Sequence, residues 1–412
     1  STLTTNLSTT ADLDSIDAPF AAKRLLKLLS KMTHGQLHVQ CPTGEWLQFG
    51  EPGGLQAHLS LNNWRVFSAS LKSGDIGFAE TYIAGDWQTP QLAHLLQVLI
   101  QNRAAIESAI YGHWAGRLAY QVKHWLNRNT KANSRKNIHA HYDLGNAFYS
   151  LWLDPTMNYS SALYAGGLSD MSAAQNAKVK RALEAVNLQP GQRLLEIGCG
   201  WGALAEMATR DFGSHVVGLT LSTEQLAWAN ERLAATPNGH LADLRLQDYR
   251  DIGVTRPEPA FDAVCSIEMI EAVGQAYWPT YFDTIAARLK PGGKACIQSI
   301  VIDDALFDRY IKGTDFIQQY IFPGGCLPSP AIFRAQAERA GLQVVDAHAF
   351  GRDYAQTLQT WRHAFLKQEP AVRALGFDTR FIRIWEFYLA YCEAAFLESN
   401  TDVVQFTLEK VG

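Results

Sequence analysis

The chain lacks any apolar run that approaches the ~18 residues needed for a membrane-spanning helix. Its first residues, STLTTNLSTTADLD, contain neither the basic stretch nor the apolar stretch of a secretory signal. The six cysteines show no C-x-x-C pair or other paired spacing, which argues against a zinc site and a disulfide framework. We therefore expect a protein of the reducing cytoplasm, without a metal site, that meets any membrane from outside the bilayer.

An excess of charge of one sign is also missing, because 36 Lys and Arg stand against 40 Asp and Glu, for a formal net charge of −4. Such a balance creates no global field that attracts nucleic acid, and we expect no nucleic-acid partner. Positive charge is concentrated in two segments, 19–32 and 117–136. Each segment has two open interpretations: a surface that contacts phospholipid headgroups, or an ordinary solvated surface of its own domain.

The first basic segment has the period of an amphipathic helix. Its apolar face consists of Leu25, Leu28, Leu29 and Met32, and its basic residues are Lys23, Arg24, Lys27 and Lys31. The second segment contains six basic residues and no acidic one, namely Arg117, Lys123, Arg128, Lys131, Arg135 and Lys136.

Alternation of apolar and polar residues predicts a small antiparallel sheet in the N-terminal part, with strands at 36–41, 45–50, 57–61 and 64–69. Helical patterns follow at 77–87 and 90–101. After a flexible tail at 1–18, we predict a small α+β domain at 19–125.

The rest of the chain predicts an α/β architecture. Residues 126–170 are expected to form a basic linker and active-site helices. From about residue 171, helical patterns alternate with short apolar strands, which predicts a doubly wound, mostly parallel sheet in a domain at 171–412. The late segment VVQFTLEK can supply a strand at the edge of this sheet. Ligands of such sheets bind beyond the carboxyl ends of the strands, where the topology switches.

The stretch LLEIGCGWGAL lies at the end of the first of these strands and fits two nucleotide fingerprints. Gly198, Gly200 and Ala203 match the dinucleotide motif, in which a pyrophosphate approaches the amino end of a helix. Glu196 followed by Gly198, Gly200 and Gly202 instead matches an acid before a glycine-rich loop. Either match is weak by itself.

Three strand ends distinguish the two cofactors. A dinucleotide site needs an acid at the end of the second strand, roughly 20 residues after the glycines, to bind the ribose hydroxyl. Here the second strand ends in GLTLSTEQ, and its first acid, Glu224, already lies in the following helix. Glu196 precedes the glycines, where a carboxylate suits an ammonium group and repels a pyrophosphate. Gly202 is expected to keep side chains away from the nucleoside, and Asp248 ends the third strand, near an adenine amino group. These features favour S-adenosylmethionine.

Seven motifs carry a resemblance to a known family: HYDLGNAFYSLWLDPTMNYSSALY, LLEIGCGWG, GLTLSTEQ, LQDYRDI, IEMIEAVG, FIQQYIFPGG and DYAQTL. In order and spacing they resemble the cyclopropane fatty acid synthase (cyclopropane-fatty-acyl-phospholipid synthase) family, which includes the mycolic acid methyltransferases. GDIGFAETYIAGDW extends the resemblance into the N-terminal domain of the phospholipid-acting members. It implies a Rossmann-like class I methyltransferase domain, a lipid-binding N-terminal domain and acyl-pocket helices at about 303–330.

The resemblance also implies an activity and a cofactor site. The activity is S-adenosylmethionine-dependent addition of a methylene bridge across the double bond of an unsaturated phospholipid acyl chain, by an enzyme peripheral on the inner face of the membrane. A homodimer is a further expectation. The implied cofactor-binding residues are Tyr159, Ser160, Glu196, Gly198, Gly200, Trp201, Gly202, Thr220, Gln225, Gln247 and Asp248.

Methyl transfer to an alkene leaves a carbocation, which an aromatic face stabilises by about 0.5–2 kcal/mol. Candidate aromatic walls are Tyr159, Phe316, Tyr320 and Phe322. A base must then remove a proton to close the ring. By the resemblance, that base is a bound bicarbonate, whose implied ligands are Ser161, Glu271, Gln298, Ile300 and Tyr354.

The sequence departs from the family pattern at two of these ligands. Ser161 stands where many members have Cys, and Gln298 where many have His. A Ser preserves a contact made by the backbone N–H, and a Gln amide can donate to bicarbonate but cannot carry a proton away as imidazole can. Glu271 is expected to anchor the ion. The substitutions leave methyl transfer intact and leave the proton step open.

Three functions remain open on the sequence alone. The first is cyclopropane synthesis, and the second is a sister enzyme that gives a methylene- or methyl-branched chain. The methylene branch arises when the cation undergoes a hydride shift and loses a different proton. The third is a non-catalytic lipid-binding module, against which the intact Glu196, Glu271 and Tyr354 argue.

Overall fold

The computed structural model describes residues 11–110, 130–134 and 144–412. The predicted boundary at residue 125 and most of the basic segment 117–136 lie outside these ranges. Two sheets are present in the described chain, a four-stranded sheet near the N-terminus and a seven-stranded sheet in the C-terminal part.

The four-stranded sheet contains β1 (Gln36–Gln40), β2 (Trp46–Gly50), β3 (Gln56–Leu61) and β4 (Trp87–Gln88), in the order β2-β1-β3-β4. β1 pairs antiparallel with β2 but parallel with β3, so the prediction of a purely antiparallel sheet was wrong. The glycine-rich connection EPGG explains the difference, because it passes close to the start of β1 and places β3 along the edge of β1 opposite to β2. A side chain at Gly50 would approach the carbonyl oxygen of Gly35 to 2.1 Å.

The strand predicted at 64–69 is also wrong, because these residues begin a helix. The N-terminal helices are α1 (Phe20–Leu29), α2 (Arg65–Ile83), α3 (Leu92–Gln101) and α4 (Arg103–Ile110). In α2, Val66, Phe67, Ser70 and Leu71 are buried, which is the spacing of one helical face. The predicted helices at 19–32 and 90–101 are confirmed by α1 and α3.

The seven-stranded sheet confirms the predicted α/β fold. Its strands are β5 (Arg193–Ile197), β6 (His215–Thr220), β7 (Ala242–Leu246), β8 (Phe261–Ile267), β9 (Leu289–Ile302), β10 (Leu342–Ala349) and β11 (Thr401–Lys410), in the order β10-β11-β9-β8-β5-β6-β7. The pairs among β5 to β9 are all parallel. β5 and β8 are adjacent although they are not consecutive, so the topology switches between them.

The last strand is not at the sheet edge as predicted. β11 pairs antiparallel with both β9 and β10, which leaves β10 at the edge. An interior position fits its burial, since the six residues from Val403 to Leu408 are all buried, including Gln405 and Thr407. A strand buried on both faces lacks the alternation expected of an exposed edge.

Helices cover the sheet and join it to the N-terminal part. They are α5 (Asn146–Trp152), α6 (Met171–Ala185), α7 (Ala203–Arg210), α8 (Thr223–Ala234), α9 (Ile270–Val273), α10 (Trp278–Arg288), α11 (Asp304–Ile311), α12 (Phe316–Tyr320), α13 (Pro330–Arg339), α14 (Gly351–Lys367), α15 (Glu369–Ala374) and α16 (Thr379–Leu397). Short 3₁₀ turns lie at Leu13–Ser15, Ala165–Gly167, Gly239–Leu241, Tyr249–Asp251 and Gln275–Tyr277. No helix of the described chain is both long enough and apolar enough to cross a membrane.

Helix α16 connects the two parts of the protein. Tyr82 of α2 donates a hydrogen bond to Glu386 of α16 at 2.8 Å. The Tyr391 hydroxyl donates to the partly buried Asp75 at 2.9 Å. Apolar residues of α1 to α3, α14 and α16 form one continuous core. The N-terminal part is therefore packed directly against the helices that cover the seven-stranded sheet.

Candidate active site

The glycine loop lies at the topological switch, directly after β5. Gly198, Gly200 and Gly202 have φ values of 82°, 53° and 94°, which side-chain-bearing residues rarely adopt. A Cβ at Gly200 would meet no atom within 4 Å, whereas one at Gly202 would meet Ala229 at 3.0 Å. A side chain at Gly202 would therefore point at α8, so this glycine allows α7 and α8 to pack closely, and its role beside the nucleoside stays a prediction.

A cavity of about 630 Å³ begins at this loop. Every predicted cofactor-binding residue except Gly202 lines it, and so do Glu271, Ile300 and Tyr354. The other two predicted bicarbonate ligands, Ser161 and Gln298, are fully buried behind its wall. The structure thus brings the glycine loop and three of the five predicted proton-transfer residues into one space.

Glu196 provides a buried carboxylate beside the loop. Its Oε2 atom has no hydrogen-bond partner among the described residues. Burial raises the pKa of Glu196 to about 8, and Lys178 opposes this shift. A buried, unpartnered carboxylate oxygen fits the ammonium group of S-adenosylmethionine, which would supply the missing donor and the compensating charge.

Lys178 is a residue of this site that sequence reasoning missed. Its side chain is fully buried, and Nζ donates to Ser160 Oγ at 2.5 Å. Burial lowers its pKa to about 8, against the opposing effect of Glu268, Asp154 and Glu196. A signal was present in the sequence, because Lys178 lies one helical turn from the small residues Ala174 and Ala182 on the buried face of α6.

The ends of β6 and β7 form the other side of the cofactor region. Thr220 Oγ1 lies 3.0 Å from Gln225 Oε1, to which it donates. The backbone N–H of Gln247 donates to the Thr220 carbonyl at 3.0 Å, which fixes the two strand ends together. Asp248 accepts from Arg250 Nε at 2.9 Å and from Nη2 at 2.7 Å. These contacts orient polar groups where β6 and β7 end beside the cavity.

The aromatic positions of the predicted pocket divide into two groups. The first group, Tyr159 and Phe322, lines the cavity. Tyr388 lines it as well, and its hydroxyl lies 2.9 Å from the hydroxyl of Tyr159. Phe316 and Tyr320 do not line it, so the prediction for these two was wrong. Phe316 is fully buried, and Tyr320 points to Glu80, to which it donates at 2.7 Å.

Beyond these aromatics the cavity wall is largely apolar. The N-terminal domain and the helices α11 and α12 both contribute to it, through Leu25, Leu29, Phe67, Leu306 and Ile317. Helices α11 and α12 lie within the range predicted for acyl-pocket helices. A hydrocarbon chain is the ligand class that suits such a wall.

The central polar group of the site is Glu268, which sequence reasoning also missed. Its Oε2 accepts hydrogen bonds from the Ser161 backbone N–H and from Gln298 Nε2, each at 2.7 Å. Its Oε1 accepts a short hydrogen bond from the Tyr354 hydroxyl. The motif IEMIEAVG contains two acids, and the family resemblance pointed only to Glu271.

Glu271 lies beside Glu268 with fewer partners. Its Oε1 accepts a short hydrogen bond from the Ile300 backbone N–H, and its Oε2 has no partner among the described residues. Burial, and then the neighbouring Glu268, raise its pKa to about 8. A charge on Glu268 therefore disfavours ionisation of Glu271 beyond the effect of burial.

The arrangement does not fit a bicarbonate ion held as the resemblance implied. Three of the five expected ligands, Ser161, Gln298 and Tyr354, already donate to the Glu268 carboxylate. The fourth, Ile300, donates to the fifth, Glu271. A second anion at this place would find its donors occupied and two carboxylates next to it.

Comparisons with known proteins identify the family. The family model described as mycolic acid cyclopropane synthetase matches residues 129–406. The chain is 38% identical over 349 residues to the tuberculostearic acid methyltransferase of Mycobacterium tuberculosis, covering 83% of this chain and 80% of that protein. It is 35% identical over 363 residues to the cyclopropane-fatty-acyl-phospholipid synthase of Escherichia coli, covering 87% and 89%.

A solved structure agrees with these sequence matches. A mycolic acid cyclopropane synthase in complex with SAH and CTAB aligns with a TM-score of 0.60 and 30% sequence identity, covering 67% of this chain and 98% of that one. The fold, the glycine loop and these matches lead to one conclusion. The chain belongs to the cyclopropane synthase family of S-adenosylmethionine-dependent methyltransferases.

Proposed function

We propose that this enzyme transfers the methyl group of S-adenosylmethionine to the double bond of an unsaturated phospholipid acyl chain and closes the product into a cyclopropane. One observation carries the proposal. A single cavity joins the Glu196 loop to a largely apolar wall, and the carboxyl groups of Glu268 and Glu271 lie on its lining. A methyl donor, a hydrocarbon chain and a proton acceptor can thus meet in one cavity.

Each part of the chain contributes a separate effect to this reaction. S-adenosylmethionine, when bound, supplies an electrophilic methyl group. Glu196 holds the ammonium end of the cofactor, and the apolar wall aligns the alkene and excludes water, which gives a weak nucleophile its best geometry. The rings of Tyr159, Phe322 and Tyr388 line the cavity and stabilise positive charge on the substrate carbon.

A methyl- or methylene-branched product is the second candidate. The similarity to a tuberculostearic acid methyltransferase, at 38% identity, favours it. The cyclopropane and the methylene branch begin with the same methyl transfer, and they differ in whether a hydride shift precedes proton loss. A saturated methyl branch requires in addition a two-electron reduction of the methylene group by a separate reductant.

We expect proton NMR of lipids from an expression host to separate these products. Upfield ring protons identify the cyclopropane, and vinylidene protons identify a methylene branch. A host carrying Glu196→Gln serves as the control, since the folded protein should then produce far less of either lipid. Lipids identical to those of a host without the protein would contradict the proposal.

We also propose that the enzyme works at the surface of an anionic membrane, on the cytoplasmic face. Helix α1 buries Leu25 and Leu29 in its own domain, as expected for an ordinary surface helix that packs on that domain. Its basic side remains exposed, and Phe20 at its start is 80% exposed. In the other basic segment, Lys131 forms a short ion pair with Asp251, and the remaining basic residues lie outside the described ranges.

Binding to vesicles of anionic phospholipid is expected to fall about tenfold or more in Lys23→Glu/Lys27→Glu, because each basic residue near such a surface contributes about 1 kcal/mol. High salt should have a similar effect, since exposed charges are screened over about 8 Å at physiological ionic strength. The control is Lys180→Glu/Lys290→Glu, which makes the same change in net charge on exposed residues of the other domain and should leave vesicle binding unchanged. Co-sedimentation that is equal for both double variants and insensitive to salt would refute the surface assignment.

A further inference from the structure

The hydrogen bonds of the Glu268 carboxylate carry an inference that rests on the proposed function and deepens it. We propose that Glu268 is the catalytic base of this enzyme, and that its carboxylate takes the place of the bicarbonate ion implied by the family resemblance. The groups expected to hold an external anion hold a side chain of the protein itself.

The geometry supports this assignment because a carboxylate and a bicarbonate present the same pair of acceptor oxygens on a trigonal carbon. Oε2 of Glu268 accepts two hydrogen bonds at 2.7 Å, from the Ser161 N–H and the Gln298 amide. Oε1 accepts a hydrogen bond from the Tyr354 hydroxyl, and the residue lines the cavity. A carboxylate oxygen that accepts one hydrogen bond retains a lone pair that can accept a proton.

The backbone gives independent support. Glu268 has a φ of 51°, in the left-handed region that favours glycine. Its own N–H donates to the Gln298 carbonyl at 2.7 Å, which holds this conformation. A side-chain-bearing residue kept in an unfavourable conformation within a reaction cavity is typical of a functional position.

Glu268 is better suited than Glu271 to hold the negative charge. Three hydrogen-bond donors and the ammonium of Lys178 favour the charged form of Glu268, against the cost of burial, which raises its pKa. Glu271 accepts a hydrogen bond from the Ile300 N–H, and burial beside Glu268 raises its pKa to about 8. With three donors on its carboxylate against one on that of Glu271, Glu268 is the member of the pair on which the geometry favours negative charge, and hence the better placed proton acceptor.

The proton step balances without a further reactant. The alkene π electrons form the new bond to the methyl carbon as its bond to sulfur breaks, which leaves a cation on the acyl chain. Glu268 then removes a proton from the new methyl group, and the C–H electron pair closes the ring. After a hydride shift, loss of a proton from the same carbon gives the methylene branch instead. Glu268 returns its proton to solvent once the product leaves.

Two variants and a bicarbonate-depleted buffer test the assignment, with the purified full chain and vesicles of monounsaturated phospholipid. We expect wild-type turnover to be unchanged by removal of bicarbonate. Glu268→Gln should lower turnover by about 100-fold or more, as expected for loss of a general base, with the affinity for S-adenosylmethionine in calorimetry changed by less than about threefold.

Glu268→Gly should be equally slow in depleted buffer and should regain turnover when bicarbonate is added, because the three donors are then available to the ion. Glycine also suits the positive φ at this position, which offsets part of the stability lost when the three donors lose their acceptor, and a thermal melt checks that the variant is folded. Asn238→Gly is the matched control: it also replaces a residue of positive φ, 61°, but at an exposed site away from the cavity. Its turnover should equal that of wild type in both buffers.

Wild-type turnover that disappears on depletion and returns with bicarbonate would overturn the assignment of Glu268 while supporting the proposed function. Near-normal turnover of Glu268→Gln would do the same. Absence of any methylated lipid from the wild-type protein in both buffers would instead overturn the proposed function, and the assignment with it.

Discussion

Gly200→Val should abolish binding of S-adenosylmethionine, to beyond the range of calorimetry. Gly200 lines the cavity, and a Cβ at this position would meet no protein atom within 4 Å. The valine side chain would therefore fill the space next to the glycine loop that the cofactor needs. Its φ of 53° is also unfavourable for a β-branched residue, so some loss of stability is expected as well.

Gly191→Val separates these two effects. Gly191 has a φ of 80°, and a Cβ added there would meet no atom within 4 Å, but the residue lies in an exposed turn before β5 and does not line the cavity. The control should lose similar stability in thermal melts and keep its affinity for the cofactor. Equal binding by both valine variants and wild type would place the cofactor elsewhere.

Glu196→Gln should weaken S-adenosylmethionine binding by on the order of 10- to 100-fold, because a hydrogen bond to a charged group contributes about 1.5–3 kcal/mol. The substitution keeps the shape of the side chain, removes its charge and replaces one acceptor oxygen with an amide NH2 that can only donate. In the wild type, Oε2 is buried without a partner among the described residues, so the ammonium of the ligand satisfies it. Calorimetry measures the difference directly, and an unchanged affinity would exclude Glu196 from the ammonium site.

The pH dependence of this variant gives a second, independent readout. In the unliganded protein, burial raises the Glu196 pKa from 4.5 to about 8. Below that pH the carboxyl must lose its proton before it can hold an ammonium group, so wild-type affinity should rise with pH toward about 8. The same shift lowers the stability of the unliganded wild type as pH rises from about 4.5 to about 8. Glu196→Gln should show neither effect at this site and should melt higher than wild type at pH 8.

The main features of the fold could be predicted because they depend on local patterns. The alternation of strands and helices identified the doubly wound sheet, and the period of the first helix identified α1. Pairing between distant segments could not be read in this way. The interior position of β11 depends on contacts with β9 and β10 on both sides, and the parallel pairing of β1 with β3 depends on how closely the glycines of their connection approach.

In the candidate site too, residues of a continuous motif could be predicted, whereas residues brought together by folding could not. Glu196 and the glycines could be found because their motif is continuous in the sequence. Lys178 reaches the site from α6, well before that motif in the chain, and only the packing of α6 reveals that its ammonium is buried. The family resemblance pointed to Ser161, Gln298 and Tyr354, but their common partner, Glu268, became evident only from the hydrogen bonds.

The central claim is that a methyl group moves from S-adenosylmethionine to an unsaturated acyl chain. The most direct test uses the purified protein, cofactor with an isotopically labelled methyl group, and vesicles of a monounsaturated phospholipid, with fully saturated phospholipid as the control. We predict that mass spectrometry will find the labelled carbon in the unsaturated chains, at the former double bond, and none in the saturated ones. Label in the headgroup, equal label in both lipids, or no label in either would contradict the account.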